Sequence, residues 1–350
     1  MSAHGTIEFG LFTHIETSSG AAQLDALYEE HLAFLAAAEQ AGFWGFHLAE
    51  HHSTPLSTTP SPALFLAAAA QRTRTMRLGP MVFLLPFYQP LRLVNEIAML
   101  DNLTSGRLEV GVGRGISPFE HAYFGNPILE TNEMFVDALD AVVAGLTHDR
   151  LTHHGPYYRY HDVPMVIRPK QKPYPAFWYG ATTPTSAAFA GRHHMNVLSL
   201  GPTEHAIHAL EAWHEAMAKS PAERAYNGHV AAKRYGVTRF AFIADTDKGA
   251  DAVARAAYDK FLENIQTLWF AWGVRDLRVG QDYDTLVNSG AWVVGSPGAV
   301  LDTLAVQIEK LPANYLVLNL KWGNLTAAQS LKSLELFATK VRPQLPRVVR

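Results

Sequence analysis

The feature that most constrains this chain is an alternation. A short apolar, β-rich run is followed by a longer stretch with helical spacing, and the pair recurs eight times. Ile7 to Thr13 (IEFGLFT) reads as a strand, and Gln23 to Ala41 follows with Leu24, Leu27, Tyr28, Leu35 and Ala38 along one helical face. Gly42 supplies a helix stop, Phe43 to Ala49 a second strand, and Ala63 to Arg72 an alanine-rich helix. Leu78 to Leu85 (LGPMVFLL) is nearly all apolar, as in a strand buried on both faces, and Pro90 to Leu103 is its helix. Leu108 to Val112 and Thr131 to Leu146 make the fourth unit. Phe177 to Gly180 with a helix from about Pro184, and Met195 to Leu200 with one from Pro202, make the fifth and sixth. Val237 to Ala244 with a helix from Asp247, and Asn314 to Leu320 with Ala327 to Val341, complete the set.

Eight such units predict an α/β fold of one kind, a closed (β/α)8 TIM barrel rather than an open doubly wound sheet. Two stretches fall outside the repeat. Residues 151–175 are rich in Tyr, His and Pro and predict a small hairpin; Gly273 to Ala291 is a second excursion. They are expected as insertions after strands four and seven. Neither has the character of a linker, so residues 1–350 are expected to form one domain.

Composition narrows the chemistry. There is no cysteine, which excludes disulfides, thiolate catalysis and thiolate metal sites. Hydrophobic residues are 48% and charged residues 17%, a composition that folds, and the formal net charge of −3 gives a nucleic acid or an anionic membrane no electrostatic hold. The N-terminus lacks the basic and apolar regions of a signal peptide, and Pro62 to Ala70 is too short to span a bilayer. A soluble, cytoplasmic protein is expected.

In a barrel, chemistry sits where strands end, and three such junctions stand out. The first is Leu48-Ala49-Glu50-His51-His52. A histidine there can move a proton near neutral pH, although a capping or packing pair is an equal reading. Neighbours in an extended chain point apart, and no HxH or HExxH pattern accompanies them, so a metal is not expected. The second is Gly111-Val112-Gly113-Arg114-Gly115. Its glycines permit close backbone approach and its arginine suits a phosphate; a tight turn explains the same residues, and the GxGxxG spacing of a dinucleotide site is missing. The third is Gly180-Ala181-Thr182-Thr183-Pro184-Thr185-Ser186, which leads into a helix. It fits a phosphate cradle at a helix N-terminus and equally an ordinary N-cap.

Taken together, these pieces resemble the bacterial luciferase-like monooxygenases. The likeness runs over almost the whole chain: IEFGLFTH, LAEHH, MRLGPMVFLLP, QPLRLVNEIAMLDNLTSGRLEVGVGRG, YGATTPTS and a late VGSP before a helix. The order and spacing of the set are specific, whereas each piece alone is not.

The resemblance implies a barrel that binds reduced FMN at its C-terminal mouth and uses O2 to oxidise a small organic substrate through a peroxyflavin. His51 falls on the histidine that assists the oxygen chemistry, with Glu50 its flavin-side neighbour. Arg114 falls on the arginine that pairs with the flavin phosphate, and Gly180, Ala181, Thr182 and Thr183 on the phosphate-binding turn. Met81 and Val82 fall where the family often holds a non-prolyl cis peptide against the flavin ring, and Phe12 is expected to wall the substrate. Gly273 to Ala291 is a candidate lid or, equally, a packing insertion.

No nicotinamide fingerprint is visible, so the resemblance implies a separate flavin reductase as partner. It also implies a homodimer, with the helix from Ala63 and the next helix as the seam or as an internal contact. Gly113 stands where the luciferase proper has a cysteine, and Thr131-Asn132-Glu133 stands where the light emitters tend to have another basic residue, so luminescence is not implied. The alternatives are a deazaflavin-dependent dehydrogenase on the same barrel, against which Arg114 argues, a non-catalytic flavin-binding protein, and a metal-dependent hydrolase on His51 and His52.

Overall fold

The structure, a computed structural model, describes residues 7–17, 23–222, 225–271 and 282–346, with the side chains of 268–271 left aside. Its frame is a parallel barrel. The staves are β1 (Glu8–Thr13), β2 (Gly45–Leu48), β3 (Arg77–Pro80) continued by β4 (Phe83–Leu84), and β5 (Val110–Gly113). After an antiparallel hairpin of β6 (Arg150–His154) and β7 (Arg159–Pro164) come β8 (Phe177–Ala181), β9 (Asn196–Leu200), β10 (Tyr235–Ile243), the additional strand β11 (Trp292–Gly295) and finally β12 (Tyr315–Asn319).

Hydrogen bonding runs in the order β3-β2-β1-β12-β10-β9-β8-β5-β4, and a bridge between Leu78 and Leu108 joins β3 to the segment entering β5. β3 and β4 are therefore two halves of one stave, and the ring contains eight. The apolar run Leu78 to Leu85, read as one strand, is divided at the cis peptide Met81–Val82. β11 is the element that the eightfold reading lacks: a ninth parallel strand, paired with the end of β10 outside the ring.

Helices α1 (Leu24–Gln40), α2 (Pro62–Arg72), α3 (Pro90–Leu103), α4 (Pro118–Tyr123), α5 (Thr131–Thr147) and α6 (Pro184–Arg192) cover the first half. The second half carries α7 (Thr203–Ala218), α8 (Asp247–Ala271), α9 (Tyr283–Asn288), α10 (Pro297–Lys310) and α11 (Ala327–Leu336). α2, α3, α4, α6 and α10 each start on a proline, whose fixed φ suits the first helical turn and whose missing N–H costs nothing there. Pro90, Pro118, Pro184 and Pro297 each follow a strand within six residues, which is how the sequence sets those helix starts at the barrel's C-terminal mouth, whereas Pro62 follows β2 only after a longer loop.

The main core lies between barrel and helices. Leu66, Ala69 and Ala70 of α2, Leu93 and Ile97 of α3, and Val142 and Leu146 of α5 pack there on Leu78, Leu108 and Val110. Inside the barrel Phe12, Ala49, Trp178, Leu198, Tyr315 and Val317 fill the axis, so the interior is packed rather than hollow. Several buried polar groups inside are paired: His47 Nε2 lies 3.1 Å from the Tyr315 hydroxyl, and Trp178 Nε1 donates to Glu109, which also receives Arg77. This packing closes the axis beneath the C-terminal mouth.

Of the second excursion, residues 273–281 lie outside the described residues; its remainder forms α9 and the approach to β11. Among the described residues no helix is long and apolar enough to cross a membrane.

Candidate active site

At the C-terminal ends of the staves lies a cavity of about 430 Å³. The residues that the resemblance assigns to flavin or substrate border it: Phe12 from β1, Glu50 and His51 after β2, Met81 and Val82 between β3 and β4, Arg114 after β5, and Gly180, Ala181, Thr182 and Thr183 from β8 into α6, whereas His52 does not. Residues up to 171 positions apart (Phe12 to Thr183) meet because parallel strands deliver all their C-terminal ends to one face.

His51 is about one-fifth exposed to the cavity, and its Nδ1 stands 3.3 Å from each carboxylate oxygen of Glu120. Glu120 is itself buried on α4, and its Oε1 accepts the backbone N–H of His52 at 2.7 Å. The two histidines turn apart. His52 Nε2 lies 2.9 Å from Glu50 Oε1, while Glu50 Oε2 accepts the Tyr88 hydroxyl at 2.8 Å and the Leu84 N–H at 3.2 Å. The Glu50 carboxylate is thus engaged inside the wall. Burial raises its pKa, a rise opposed by the hydrogen bonds and charge of His52 and by those from Tyr88 and Leu84.

Sequence reading missed Glu120. Ser117-Pro118-Phe119-Glu120 carries a helix-start signature of N-cap serine, proline at the first helical position and glutamate at the third. Ser117 does cap α4, accepting the Glu120 N–H at 3.3 Å. The signature would locate the short helix, yet it predicts a glutamate folded back on its own cap. Here the carboxylate crosses to His51 and His52.

Met81–Val82 is a cis peptide. The glycines of the second junction serve this neighbourhood rather than a ligand alone. A Cβ on Gly111 would stand 2.2 Å from the Pro80 carbonyl oxygen, and one on Gly113 would stand 2.5 Å from Val82 Cγ2. Only glycine permits stave and cis segment to approach this closely.

Arg114 Nη1 donates to Thr131 Oγ1 at 3.1 Å, and Thr131 in turn donates to the Ile128 carbonyl. Among the described residues Arg114 has no ion pair, so its charge faces the cavity uncompensated. On the same cavity, Thr183 caps α6 in a full capping box: Thr183 Oγ1 accepts the Ser186 N–H and Ser186 Oγ accepts the Thr183 N–H. The N-cap reading of that turn is what the structure shows, and the helix start it caps borders the cavity.

His14, just past β1, borders the same cavity and was not singled out. Its ring stacks near His51 at 5.8 Å between centroids. Burial, with the charge of His51, pushes its pKa down to about 3, so it is a neutral imidazole at working pH. Among the described residues no three histidine, aspartate or glutamate side chains converge as a metal site.

The cavity suits a flat cofactor with an anionic end. Its lining combines apolar side chains, among them Phe12, Val82 and Leu198, with Arg114, Thr182 and the start of α6. Fold and cavity together define a parallel (β/α)8 barrel with its open cavity at the C-terminal mouth. The sequence profile described as luciferase-like monooxygenase matches residues 7–314, and the chain belongs to that family of oxidoreductases.

Its relatives include protein y4wF of Sinorhizobium fredii, 32% identical over 326 residues and 93% of each chain. Limonene 1,2-monooxygenase of Rhodococcus erythropolis is 28% identical over 354 residues, covering 97% of this chain and 87% of that one. Among solved structures, the monooxygenase RslO1 of Streptomyces bottropensis superposes with a TM-score of 0.84 at 25% identity, covering 96% of this chain and 99% of that one.

Proposed function

We propose that this protein is a monooxygenase that uses reduced FMN and O2 to oxidise a small neutral organic substrate, the reduced flavin coming from a separate reductase. The observation that carries the reading is the Arg114 guanidinium, without an ion pair among the described residues, on the same cavity as the N-terminus of α6 and the apolar side chains of Phe12, Val82 and Leu198. That arrangement offers a phosphate a forked donor and a helix dipole together. Reduced flavin, when bound, supplies the electrons that activate O2.

The chain's own residues have separate duties. Arg114, steadied by Thr131, holds the phosphate with the backbone of Thr182 and Thr183. Met81, Val82, Ala181 and Gly180 form a flat apolar seat for the ring, and Phe12 and Leu198 exclude water. His51 holds or moves a proton at Nε2, while Glu120 on Nδ1 fixes ring orientation and tautomer. Glu50 braces the wall through His52 and Tyr88. We read residues 1–350 as one domain acting as a homodimer; Leu64, Met99 and Leu103 of α2 and α3 are exposed apolar side chains that a second copy would cover.

Titration with reduced FMN and with a reduced deazaflavin coenzyme tests the reading. Tight reduced-FMN binding, followed by substrate-dependent uptake of one O2 per flavin, is expected. Preference for the deazaflavin, with no O2 uptake, would replace it with a hydride-transferring dehydrogenase.

A further inference from the structure

A second cavity, of about 260 Å³, lies beside the first, and Leu200 forms part of both walls. It exists because β10 is nine residues long where β9 and β12 have five. Thr238 borders the cofactor cavity, and Phe240, two residues on and so on the same face, borders the second. β11 widens the overhang by pairing Trp292 with Phe240, and α8 and α9 lay Phe261, Ile265 and Leu286 across it. Phe240 and Trp292 stack at 4.6 Å, with Phe261 5.0 Å from Phe240. No charged side chain lines this annex among the described residues.

His14 stands at the junction. Its ring lies 6.4 Å from Phe240, 6.2 Å from Phe261 and 5.8 Å from His51. It is nine-tenths buried, and its Nδ1 has no hydrogen-bond partner among the described residues.

We propose that this aromatic annex receives the hydrocarbon body of the substrate, that the substrate is a neutral ring-bearing molecule, and that His14 is its polar contact at the entrance from the cofactor cavity. The assignment rests on the monooxygenase reading for its chemistry. An ionised group in the annex would be buried without a partner, which is far costlier than burying hydrocarbon. An apolar cavity of about 150 Å³ holds a benzene, so this one has room for one to two rings. The place also suits the reaction, since a molecule seated against the Phe240–Trp292 stack reaches the cofactor cavity past Leu200 and His14.

Calorimetric titration of the full chain with 2-naphthol and with 2-naphthoate, with and without FMN, tests this. Naphthol should bind with a negative heat-capacity change, the mark of apolar burial, and naphthoate at least tenfold more weakly. Ile265→Trp and Leu286→Trp, which fill the annex, should weaken naphthol at least tenfold and leave FMN affinity within twofold. Leu286→Ala, which widens the annex, should shift preference toward three-ring 2-anthrol at least threefold and keeps the test decisive where a tryptophan unfolds the protein. Equal affinity for naphthoate, or naphthol binding unmoved by these changes, would overturn the annex. FMN bound but naphthol refused sinks the annex alone; naphthol bound but FMN refused sinks the cofactor reading and leaves the annex a ligand site.

Discussion

Glu120 sits 69 positions after His51 in the chain, yet its carboxylate stands 3.3 Å from His51 Nδ1 through both oxygens. One more bond, from the His52 N–H at 2.7 Å, locks the carboxylate in place. The exposed edge of the His51 ring is therefore held toward the cavity by a buried anion, an arrangement that orients a proton-handling imidazole.

His51→Ala should slow substrate oxidation by a factor of about 10² to 10⁴, the usual range for a lost acid–base group. Glu120→Gln keeps an oxygen for the His52 N–H but loses the charge. A hydrogen bond to a charged group is worth about 1.5–3 kcal/mol, so roughly a tenfold to hundredfold loss is expected. Stopped-flow mixing of the reduced-FMN complex with air-saturated buffer reads both, and reduced-FMN affinity should stay within threefold of wild type. A Glu120→Gln rate equal to wild type would remove the positioning role.

Arg114→Ala should weaken FMN binding by about tenfold to a hundredfold, again from the loss of charge-assisted hydrogen bonds. Riboflavin, which has no phosphate, should bind both forms alike. Fluorescence titration of the two flavins against wild type, Arg114→Ala and Arg114→Lys makes the comparison, with lysine intermediate because it lacks the fork. A matching loss of riboflavin binding would instead mean that Arg114 shapes the cavity as a whole.

Gly113→Ala should destabilise the protein by about 1–3 kcal/mol, the usual cost of overpacking, because its Cβ would stand 2.5 Å from Val82 Cγ2. Urea denaturation gives the size of the loss, and flavin titration should show weakened binding as Val82 is pushed into the cavity. An unchanged midpoint would mean that Val82 yields freely.

Buried ionisable groups set a pH signature. Burial, with the charge of Arg234, lowers the His47 pKa to about 3, so the unfolded chain takes up a proton near 6.5 that the folded chain refuses. Its contribution is complete above pH 6.5 and is lost as pH falls toward 3. Glu16 acts oppositely: burial raises its pKa to about 7, against hydrogen bonds from Gly323 and Asn264 and the charge of Lys260. Its contribution is complete below about pH 4.5 and is lost as pH rises through 7. Between pH 5 and 6.5, stability should therefore change with pH by about 1.4 kcal/mol per unit less steeply toward acid in His47→Phe, and as much more steeply in Glu16→Gln. Urea midpoints at pH 5, 6 and 7 check both signs, and parallel slopes for all three proteins would contradict the assignment.

The sequence by itself determined the barrel. Hydrophobic periodicity is local, so Ile7 to Thr13, Leu108 to Val112 and Asn314 to Leu320 could be read as strands, and prolines such as Pro90 and Pro184 marked the helix starts. Because parallel strands share one C-terminal face, that local reading also gathered Phe12, His51, Arg114 and Thr182 around one cavity. What only the tertiary structure decided was pairing. Nothing near Glu120 says that its carboxylate turns to His51, nothing near Thr131 says that it steadies Arg114, and Gly113 reads as a ligand-facing glycine until Val82 is seen against it. β11 escaped for the same reason: four residues, Trp292 to Gly295, carry too little periodicity to announce a strand, and their partner lies at the end of β10, some fifty residues earlier. Side-chain partners and strand neighbours depend on distances through space, which the one-dimensional pattern of apolar and polar residues does not encode.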